Sequence, residues 1–332
     1  MARMFTKHQI NEAAELLMSG QTVAFPTETV YGLGADATNE QAVQAIFDAK
    51  GRPADNPLIV HIGQADLIKK YVTHKPETAS KLMDAFWPGP LTIILPSNGT
   101  LAKNVTAGLD SVGIRMPDHP VALELLKTCQ LPVAAPSANR SGKPSPTTAD
   151  HVAHDLTGRI AGIVDGGKTG VGVESTVIDC TIDKPMILRP GGVTKSDIEA
   201  VIGPIDVASS KVKRDEQPRS PGMKYKHYAP DAPIWIVRGD ASQMRKVADE
   251  AAERGESVQV LVSKERANEL GFSDAVILGS RSDLTGITSN LYDALRQIDD
   301  LDVDLVLAES FSKEGIGEAL MNRLERAATR II

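Results

Sequence analysis

The chain has 332 residues, 42% of them hydrophobic and 24% charged, a composition typical of a globular protein long enough for two domains. Its formal net charge of −7 argues against a protein that wraps nucleic acid by bulk electrostatics. The two cysteines stand outside any CxxC pattern, the apolar stretches are only strand-sized, and the N-terminus lacks an apolar signal core, so we expect a cytoplasmic protein without disulfides, zinc cluster, membrane helix or export signal.

The first 203 residues alternate strand-like and helix-like segments, which predicts an α/β catalytic domain with a twisted, mixed sheet over residues 1–203. Thr38–Gln41 has capping-box form and opens a helix that ends at Lys50-Gly51, after a predicted turn at Tyr31–Gly34. The predicted strands are 22–25, 58–62, 91–95, 112–115, 133–135, 160–164, 176–179 and 186–189. The other predicted helices are 65–71, 77–86, 121–128, 148–155 and 196–202.

Residues 204–231 lose all periodicity and are rich in proline, which predicts a linker, and residues 232–332 restart the alternation as a small, doubly wound, Rossmann-like α/β domain. Within this part, residues 211–227 hold six Lys or Arg against two Asp or Glu, and residues 228–332 hold twelve against nineteen. The basic linker is either a solvated connector or a strap that closes over an anionic ligand.

Two motif matches point to no site. Gly162–Thr169 fits the GxxxxGK[ST] pattern of a phosphate loop, but Gly162 falls inside a predicted strand and the glycine-rich sequence after Thr169 does not favour a helix. His151 and His154 lie three residues apart on a predicted helix without a third ligand at metal spacing. We therefore assign no metal-ligating residue.

Six polar loops, most of them beside an apolar strand, carry the candidate chemistry, and strand-end loops are the usual ligand site of an α/β sheet. They are residues 26–34, 50–57, 111–117, 135–139, 172–176 and 188–192. Together they supply the cations Lys50, Arg52, Arg115 and Arg189 and the neutral donors Thr29, Ser111, Ser137, Asn139 and Ser175. Such a set suits a polyanion bound together with a small polar molecule.

These loops resemble the threonylcarbamoyl-AMP synthase family, also called YrdC-like proteins. The resemblance lies in PTETVYGLG, KGRPADNPL, FWPGPLT, SVGIRMP, APSAN and ESTV, and its hallmark is Lys50-Gly51-Arg52 combined with Ser137-Ala138-Asn139. The linker sequence SPGMKYKHYAP, followed by a second module, resembles the two-domain branch with a C-terminal extension. The implied fold is a YrdC-like domain with a central cavity.

The resemblance implies that the enzyme is a nucleotidyltransferase. It would condense ATP, bicarbonate and L-threonine into L-threonylcarbamoyl-AMP and pyrophosphate, for the threonylcarbamoyladenosine modification of tRNAs reading ANN codons. Lys50 and Arg52 are the implied catalytic residues. The implied ATP-binding residues are Lys50, Arg52, Asn56, Ser111, Ser137, Asn139, Ser145, Arg189 and Tyr225. The implied L-threonine-binding residues are Thr29, His61, Arg115, Ala135 and Ser175.

The resemblance further implies Mg²⁺, held mainly through the ATP phosphates, and an indirect link to tRNA through downstream transfer proteins. Simpler interpretations stay open for single residues: His61 as a core histidine, Arg52 as a solvated side chain and Arg189 in a surface ion pair. An RNA-binding or ribosome-maturation module is the alternative function, opposed by the acidic charge balance and the 4% of aromatic residues. A transfer that starts from carbamoyl phosphate is a third hypothesis.

Overall fold

The computed structural model describes residues 2–208, 218–221 and 228–332, which form two compact units. The first unit holds the described residues up to Pro221, apart from Gly142–Pro144 and Val171–Val173. These two short segments belong to the second unit, with the described residues from Tyr228 onward.

The first unit is built on one mixed sheet. Its strands are β1 (Arg3–Phe5), β2 (Val23–Phe25), β3 (Gly32–Asp36), β4 (Ile59–His61), β5 (Leu91–Pro96), β6 (Ser111–Arg115), β7 (Val133–Ala134), β8 (Gly162–Val164), β9 (Thr176–Asp179), β10 (Met186–Arg189) and β11 (Asp206–Val207). Its helices are α1 (Ile10–Met18), α2 (Glu40–Lys50), α3 (Glu77–Phe86), α4 (Lys103–Thr106), α5 (Pro120–Cys129), α6 (Ala149–Leu156) and α7 (Lys195–Ile202), with a 3₁₀ helix at Ala65–Lys70. The strand order is β1-β8-β2-β3-β7-β4-β6-β5-β9-β10-β11, and parallel and antiparallel neighbours both occur, which confirms the predicted mixed sheet.

The helices cover the two faces of this sheet unequally. On one face, helices α2, α3, α4, α6 and α7 bury a continuous apolar core. On the other face, α1 and α5 pack over β1, β8, β2 and β7. Beyond β7 this second face carries only a small apolar cluster of Ile59, Ile94, Val177 and Leu188, to which no described helix contributes a buried residue. We call the area over β4, β6, β5, β9 and β10 the open face.

The second unit is built on a parallel sheet. Its strands are β12 (Ile234–Val237), β13 (Val258–Ser263), β14 (Val276–Gly279), β15 (Leu305–Glu309) and β16 (Arg330–Ile331), in the order β14-β13-β15-β12-β16. Its helices are α8 (Ala241–Glu253), α9 (Lys264–Leu270), α10 (Leu284–Asp299) and α11 (Gly317–Ala327). Helices α8 and α9 pack on one face, and α10 and α11 contact β14 and β12. The predicted α/β class of this domain is confirmed, although its strand order differs from the Rossmann order 3-2-1-4-5.

Tyr31–Gly34 is not the turn that its glycines predict, because Gly32–Asp36 forms strand β3. A Cβ atom added at Gly34 would lie 2.7 Å from Val133 Cγ1 and 2.8 Å from Phe25 Cε1, on the two neighbouring strands. The glycine therefore marks a close approach of side chains across the sheet rather than a change of chain direction.

The predicted capping box at Thr38–Gln41 is also wrong. Asn39 is the N-cap of α2, and its side chain accepts hydrogen bonds from the backbone N–H groups of Gln41 and Ala42. Thr38 instead donates its hydroxyl proton to Asp36 Oδ1, at 2.7 Å. A capping box does form at Thr194 and Asp197, where α7 begins.

The sequence-based prediction does not include β1, α1, α4, β11, α9 and β16. Helix α1 does carry a helical period, since it buries Ile10, Ala13, Ala14 and Leu17, and it could have been predicted. In the described part of the chain, no helix combines the length and the apolar character that crossing a membrane requires.

Candidate functional site

The register of the strands gathers predicted site residues on the open face. Side chains of a strand alternate between faces, so Ser111, Gly113 and Arg115 of β6 share one face. In the parallel pair of β4 and β6, His61 lies beside Arg115 and Ile59 beside Gly113. Since Ile59 belongs to the small apolar cluster of the open face, His61, Ser111 and Arg115 belong to that face too.

Lys50 is a buried ammonium at the end of α2. Helix α2 ends there because Gly51 adopts the left-handed conformation, with φ of 63°. The Lys50 Nζ donates to the backbone oxygens of Ser137 and Asn139, at 2.5 and 2.6 Å, and lies 3.3 Å from Asn139 Oδ1. Burial lowers the pKa of Lys50 well below its usual range, and the charge of Arg52 adds to this effect. The structure therefore joins the Lys-x-Arg and Ser-x-Asn elements by direct contact.

Arg52 and Asn56 form a second group just beyond α2. The Arg52 Nη2 lies 3.5 and 3.3 Å from the backbone oxygens of Asn56 and Pro57. The side chain of Asn56 is fully buried, and neither its amide nitrogen nor its amide oxygen has a hydrogen-bond partner among the described residues. An unpartnered buried amide is costly, which points to a ligand that pairs with it.

Arg115 has three neighbours of different chemistry. Its Nη1 donates to Thr29 Oγ1 at 2.9 Å, and its Nε lies 3.3 Å from the backbone oxygen of Gly89. Its Nη2 lies 2.7 Å from the carboxylate of Glu28. Only 5% of the Arg115 side chain is exposed, so the planar fork is held in one orientation.

Ser175 and Arg189 meet at the adjacent strands β9 and β10. Arg189 donates from Nε and Nη2 to the backbone oxygen of Ser175, at 3.1 and 2.9 Å, and its Nη2 is 3.2 Å from Ser175 Oγ. The Ser175 hydroxyl is also 2.8 Å from that of Thr92 on β5. Close by in sequence, Glu174 accepts the hydroxyl proton of Ser145 at 2.5 Å. Arg189 is therefore buried in hydrogen bonds rather than paired at the surface.

These groups are connected to one another. Ser111, Pro57 and Thr92 line the same small cavity, which links the Arg52 group to the Ser175 group. The negative charge of Glu174 is close enough to Lys50 to raise its pKa. The hydrogen-bonded pair of Ser145 and Glu174 therefore lies near the Lys50 group. Ala135 follows β7, and its backbone N–H is donated to Ile59 on β4. These contacts link several of the predicted residues into neighbouring groups, whereas Tyr225 lies outside the described residues.

His61 is almost completely buried and its ring meets the Phe25 ring edge-on, with centroids 6.0 Å apart. Burial lowers the pKa of His61 to about 3, and the charge of Arg115 contributes in the same direction. The imidazole is therefore neutral at physiological pH. Its Nδ1 has no hydrogen-bond partner in the described part of the chain, so the ring is not a fully satisfied core histidine.

Three residues of this site have no role in the sequence-based assignment: Glu28, Thr92 and Glu174. Each lies inside or beside a quoted motif, but a single carboxylate or hydroxyl there gives no pattern from which to assign a function. Their burial and their partners, Arg115, Ser175 and Ser145, become visible only in the fold.

Neither of the two motif matches forms a site in the fold. No helix follows Lys168 and Thr169 before β9 begins, so the GxxxxGK[ST] match is not a phosphate loop. Across residues 2–208, 218–221 and 228–332, no group of three or more His, Cys, Asp or Glu side chains is placed to hold a metal ion.

The first unit is a mixed sheet whose open face carries buried arginines and hydroxyl groups, and a small parallel α/β unit follows it. The protein is thus a two-unit α/β protein with clustered cations. The family model described as "Telomere recombination" (Sua5, YciO and YrdC proteins) matches residues 15–191, and the threonylcarbamoyl-AMP synthase C-terminal domain matches residues 193–329. The chain belongs to the threonylcarbamoyl-AMP synthase family.

Individual relatives are similar over nearly the whole chain. A Bacillus subtilis protein named threonylcarbamoyl-AMP synthase is 54% identical over 321 residues, which cover 96% of this chain and 93% of that protein. A Pyrococcus abyssi protein of the same name is 46% identical, with 96% and 94% covered. The crystal structure of P. abyssi Sua5 complexed with L-threonine superimposes with a TM-score of 0.93 at 45% identity, covering 100% of this chain and 99% of that one.

Proposed function

We propose that this chain makes L-threonylcarbamoyl-AMP and pyrophosphate from ATP, L-threonine and bicarbonate. The observation that carries the proposal is a pair of unlike groups in the first unit: hydrogen-bond donors around Lys50 and Arg52 at the end of α2, and the guanidinium of Arg115 beside a carboxylate on the open face. The names of the relatives, similar over more than nine-tenths of their length, support the same reaction.

ATP would bind to the first group. Lys50 holds the backbone of Ser137 and Asn139 in place, Arg52 supplies a second cation, and the unpartnered amide of Asn56 supplies both a donor and an acceptor. We assign Ser111, Ser145 and Arg189 to the remaining contacts with the nucleotide. Because Lys50 Nζ already faces three oxygen atoms of residues 137–139, we expect it to shape the phosphate site more than to contact phosphate itself.

L-Threonine would bind to the second group. The planar fork of Arg115 suits a carboxylate, and the hydroxyls of Thr29 and Ser175 suit the hydroxyl and carboxylate of the substrate. The neutral ring of His61 and the backbone at Ala135 complete this pocket. Support for an amino acid at this place comes from the P. abyssi relative, whose structure is described as complexed with L-threonine.

The reaction requires alignment more than covalent catalysis. The amine of threonine captures bicarbonate or CO₂ as an N-carboxylate, and this carboxylate attacks the α-phosphorus of ATP while pyrophosphate leaves. Both reacting groups are anionic, so fixed cations lower the barrier by offsetting their repulsion. This accounts for a site of arginines, lysine and hydroxyls.

Mg²⁺ would reach this site with ATP. The side chains of the first group are lysine, arginine, serine and asparagine, which are mainly hydrogen-bond donors rather than hard carboxylate ligands. We therefore assign the metal to phosphate oxygens and water. When bound, it would offset charge on the triphosphate. The product would then pass to proteins that transfer the threonylcarbamoyl group to tRNA, in the cytoplasm.

The proposal is tested with two substitutions and one control. Arg52→Ala should raise the KM for ATP, and Arg115→Ala should raise the KM for threonine, each by roughly 10- to 100-fold, because each removes a charge-assisted hydrogen-bond donor. Arg254→Ala, which removes an exposed ion pair with Glu256, should change neither. Pyrophosphate release dependent on both threonine and bicarbonate is the readout, and wild-type rates in both site variants would show that the assigned residues are wrong.

A further inference from the structure

Glu28 is a buried carboxylate with an incomplete set of partners. Its Oε1 lies 2.7 Å from Arg115 Nη2, and only 14% of its side chain is exposed. Neither carboxylate oxygen accepts a hydrogen bond of good geometry from any described residue. Arg115 Nη2 likewise has no such bond, although Nη1 and Nε of the same side chain do.

This differs from other buried carboxylates of the first unit. Glu174 accepts the Ser145 hydroxyl, and Asp179 accepts the backbone N–H of Thr181 and a guanidinium proton of Arg219. A buried carboxylate has about four acceptor positions, and leaving them unfilled is costly. Glu28 therefore retains acceptor positions for a ligand that donates hydrogen bonds, next to a guanidinium that retains a donor.

An amino acid has the complementary pair of charges. Its carboxylate accepts from a guanidinium, and its ammonium, a short distance away, donates three hydrogen bonds. When the site is empty, Glu28 and Arg115 neutralise each other; when it is filled, each charge can pair with the opposite charge of the zwitterion. This arrangement discriminates between an α-amino acid and an α-hydroxy acid, because only the amino acid carries an ammonium group.

We propose that Glu28 binds the α-ammonium group of the amino-acid substrate and takes the proton that this group must lose, an inference that rests on the proposed function. The proton moves from the ammonium nitrogen to a Glu28 carboxylate oxygen, which leaves a neutral amine. The nitrogen lone pair then forms the N–C bond with bicarbonate, and water leaves, giving the N-carboxylate. Glu28 is thus a catalytic residue in addition to those assigned above.

The charged and titratable groups around Glu28 come from three elements. Arg115 lies at the end of β6, and His61 on β4 lies beside it in the sheet. His119, at the start of α5, interacts with the charges of Glu28 and of Asp118. Burial lowers the pKa of His61 to about 3, so that ring is neutral at physiological pH, and burial also lowers the pKa of His119. Arg115 is the one lysine or arginine in contact with Glu28 among the described residues.

The first test is discrimination in binding, which needs no turnover. Calorimetry compares L-threonine with its α-hydroxy analogue on the wild type, on Glu28→Gln and on Glu12→Gln, which removes a carboxylate from an exposed ion pair with Arg3. We expect the wild type and Glu12→Gln to prefer threonine by roughly 10- to 100-fold, and Glu28→Gln to lose this preference, since one charge-assisted hydrogen bond is absent. An unchanged preference in Glu28→Gln, in protein shown to be folded by circular dichroism, overturns the proposal.

The second test is the pH profile of adenylate formation, which a residue that only orients Arg115 would leave unchanged. The quantity compared is the ratio of kcat/KM in Glu28→Gln to kcat/KM in the wild type. This ratio should rise by about tenfold per pH unit from about pH 6 to about pH 8, because the variant can use only threonine that is already deprotonated in solution. Glu28→Asp keeps a carboxylate and should keep the wild-type slope. If the ratio of kcat/KM between Glu28→Gln and the wild type does not change with pH, Glu28 has no role in proton transfer.

The two proposals fail in different ways. If wild-type protein forms no adenylate, the proposed function is wrong, while the binding comparison still decides whether Glu28 recognises an ammonium group. If the wild type is active and Glu28→Gln retains both its preference and its pH slope, only the role of Glu28 is wrong.

Discussion

Lys50 shows how a residue that is catalytic by resemblance acquires a physical role in the fold. Its ammonium is buried and faces three oxygen atoms of residues 137–139, so it fixes a loop that we assign to the nucleotide site. The low pKa that burial imposes on Lys50 shows that the charge is costly there. The cost is offset by short hydrogen bonds, and the loop is held in place as a result.

Replacing Lys50 should therefore affect both stability and ATP binding. Lys50→Met keeps the length of the side chain and leaves two buried carbonyl oxygens without a donor, so we expect the free energy of unfolding to fall by about 2 kcal/mol and the KM for ATP to rise. Lys69→Met, at an exposed ion pair with Asp66, should stay within about 0.5 kcal/mol of wild type. Denaturation by urea measures both variants; equal stability of the two would contradict the anchoring role of Lys50.

His61 predicts a dependence of stability on pH. Its pKa is about 3 in the folded chain against 6.5 as the ordinary value, so between these two values the unfolded chain binds the extra proton. The free energy of unfolding therefore rises with pH between these two pKa values, and His61 contributes up to about 1.4 kcal/mol per pH unit to this rise. Above the pKa of the unfolded chain, His61 is neutral in both states and adds no further change with pH. His61→Gln should reduce the slope of stability against pH between about pH 4 and pH 6, as measured by urea denaturation at a series of pH values. Identical slopes in His61→Gln and wild type would show that the ring is hydrated and charged.

Among the elements, β3 shows where the pattern of residues misleads. Glycines normally mark turns, and Gly34 was expected to do so, but in the fold it makes room for Val133 and Phe25 on both sides of a central strand. We expect Gly34→Ala to reduce the free energy of unfolding by about 1–3 kcal/mol through overpacking. Gly170→Ala, at an exposed position with no atom within 4 Å of the added Cβ, is the matched control and should be nearly neutral. An unchanged free energy of unfolding in Gly34→Ala would mean that the side chains of Val133 and Phe25 move aside for the added methyl group.

The start of α2 distinguishes two ways of capping a helix. Because Asn39 accepts two backbone N–H groups, Asn39→Ala should cost about 1 kcal/mol of stability. Thr38→Ala removes a hydroxyl whose one side-chain hydrogen bond goes to the half-buried Asp36, and it should cost less. Thermal unfolding of the two variants shows which residue caps the helix. If Thr38 were the N-cap of a capping box, Thr38→Ala would lose more stability than Asn39→Ala.

The strands and helices with strong periodicity could be predicted closely from the sequence. Helix α3 and strands β9 and β10 begin and end at the predicted residues, because their apolar positions follow one period. The exposed end strands β1 and β16 were missed, since only two or three residues of each pair with a neighbour. Helix α9, seven residues long, was too short to show a period.

At the scale of the whole molecule, the unequal covering of the sheet leaves room for residues from distant loops to meet on one face. Helices α1 and α5 cover only part of one face, and the strands that remain open carry His61, Arg115 and Ser175 or end beside them. Sequence motifs could identify these residues one by one. The partner of each residue, such as Glu28 for Arg115, depends on sheet register and side-chain packing, and neither is encoded locally.

The charge of the molecule bears on the alternative function of an RNA-binding module. With a net charge of −7 and a pI of about 5.6, we expect only weak RNA binding at physiological salt. Filter binding of unmodified tRNA, measured over a range of salt concentrations without ATP, tests this. Tight binding with a steep salt dependence would favour the RNA-binding module.

The most direct measurement is mass detection of the product after the full-length protein is mixed with ATP, bicarbonate and L-threonine. We expect the mass of threonylcarbamoyl adenylate to appear together with pyrophosphate, and to be lost when threonine or bicarbonate is omitted and in Arg115→Ala. Hydrolysis of ATP with no adenylate of this mass, or the same product without threonine, would contradict the proposed function.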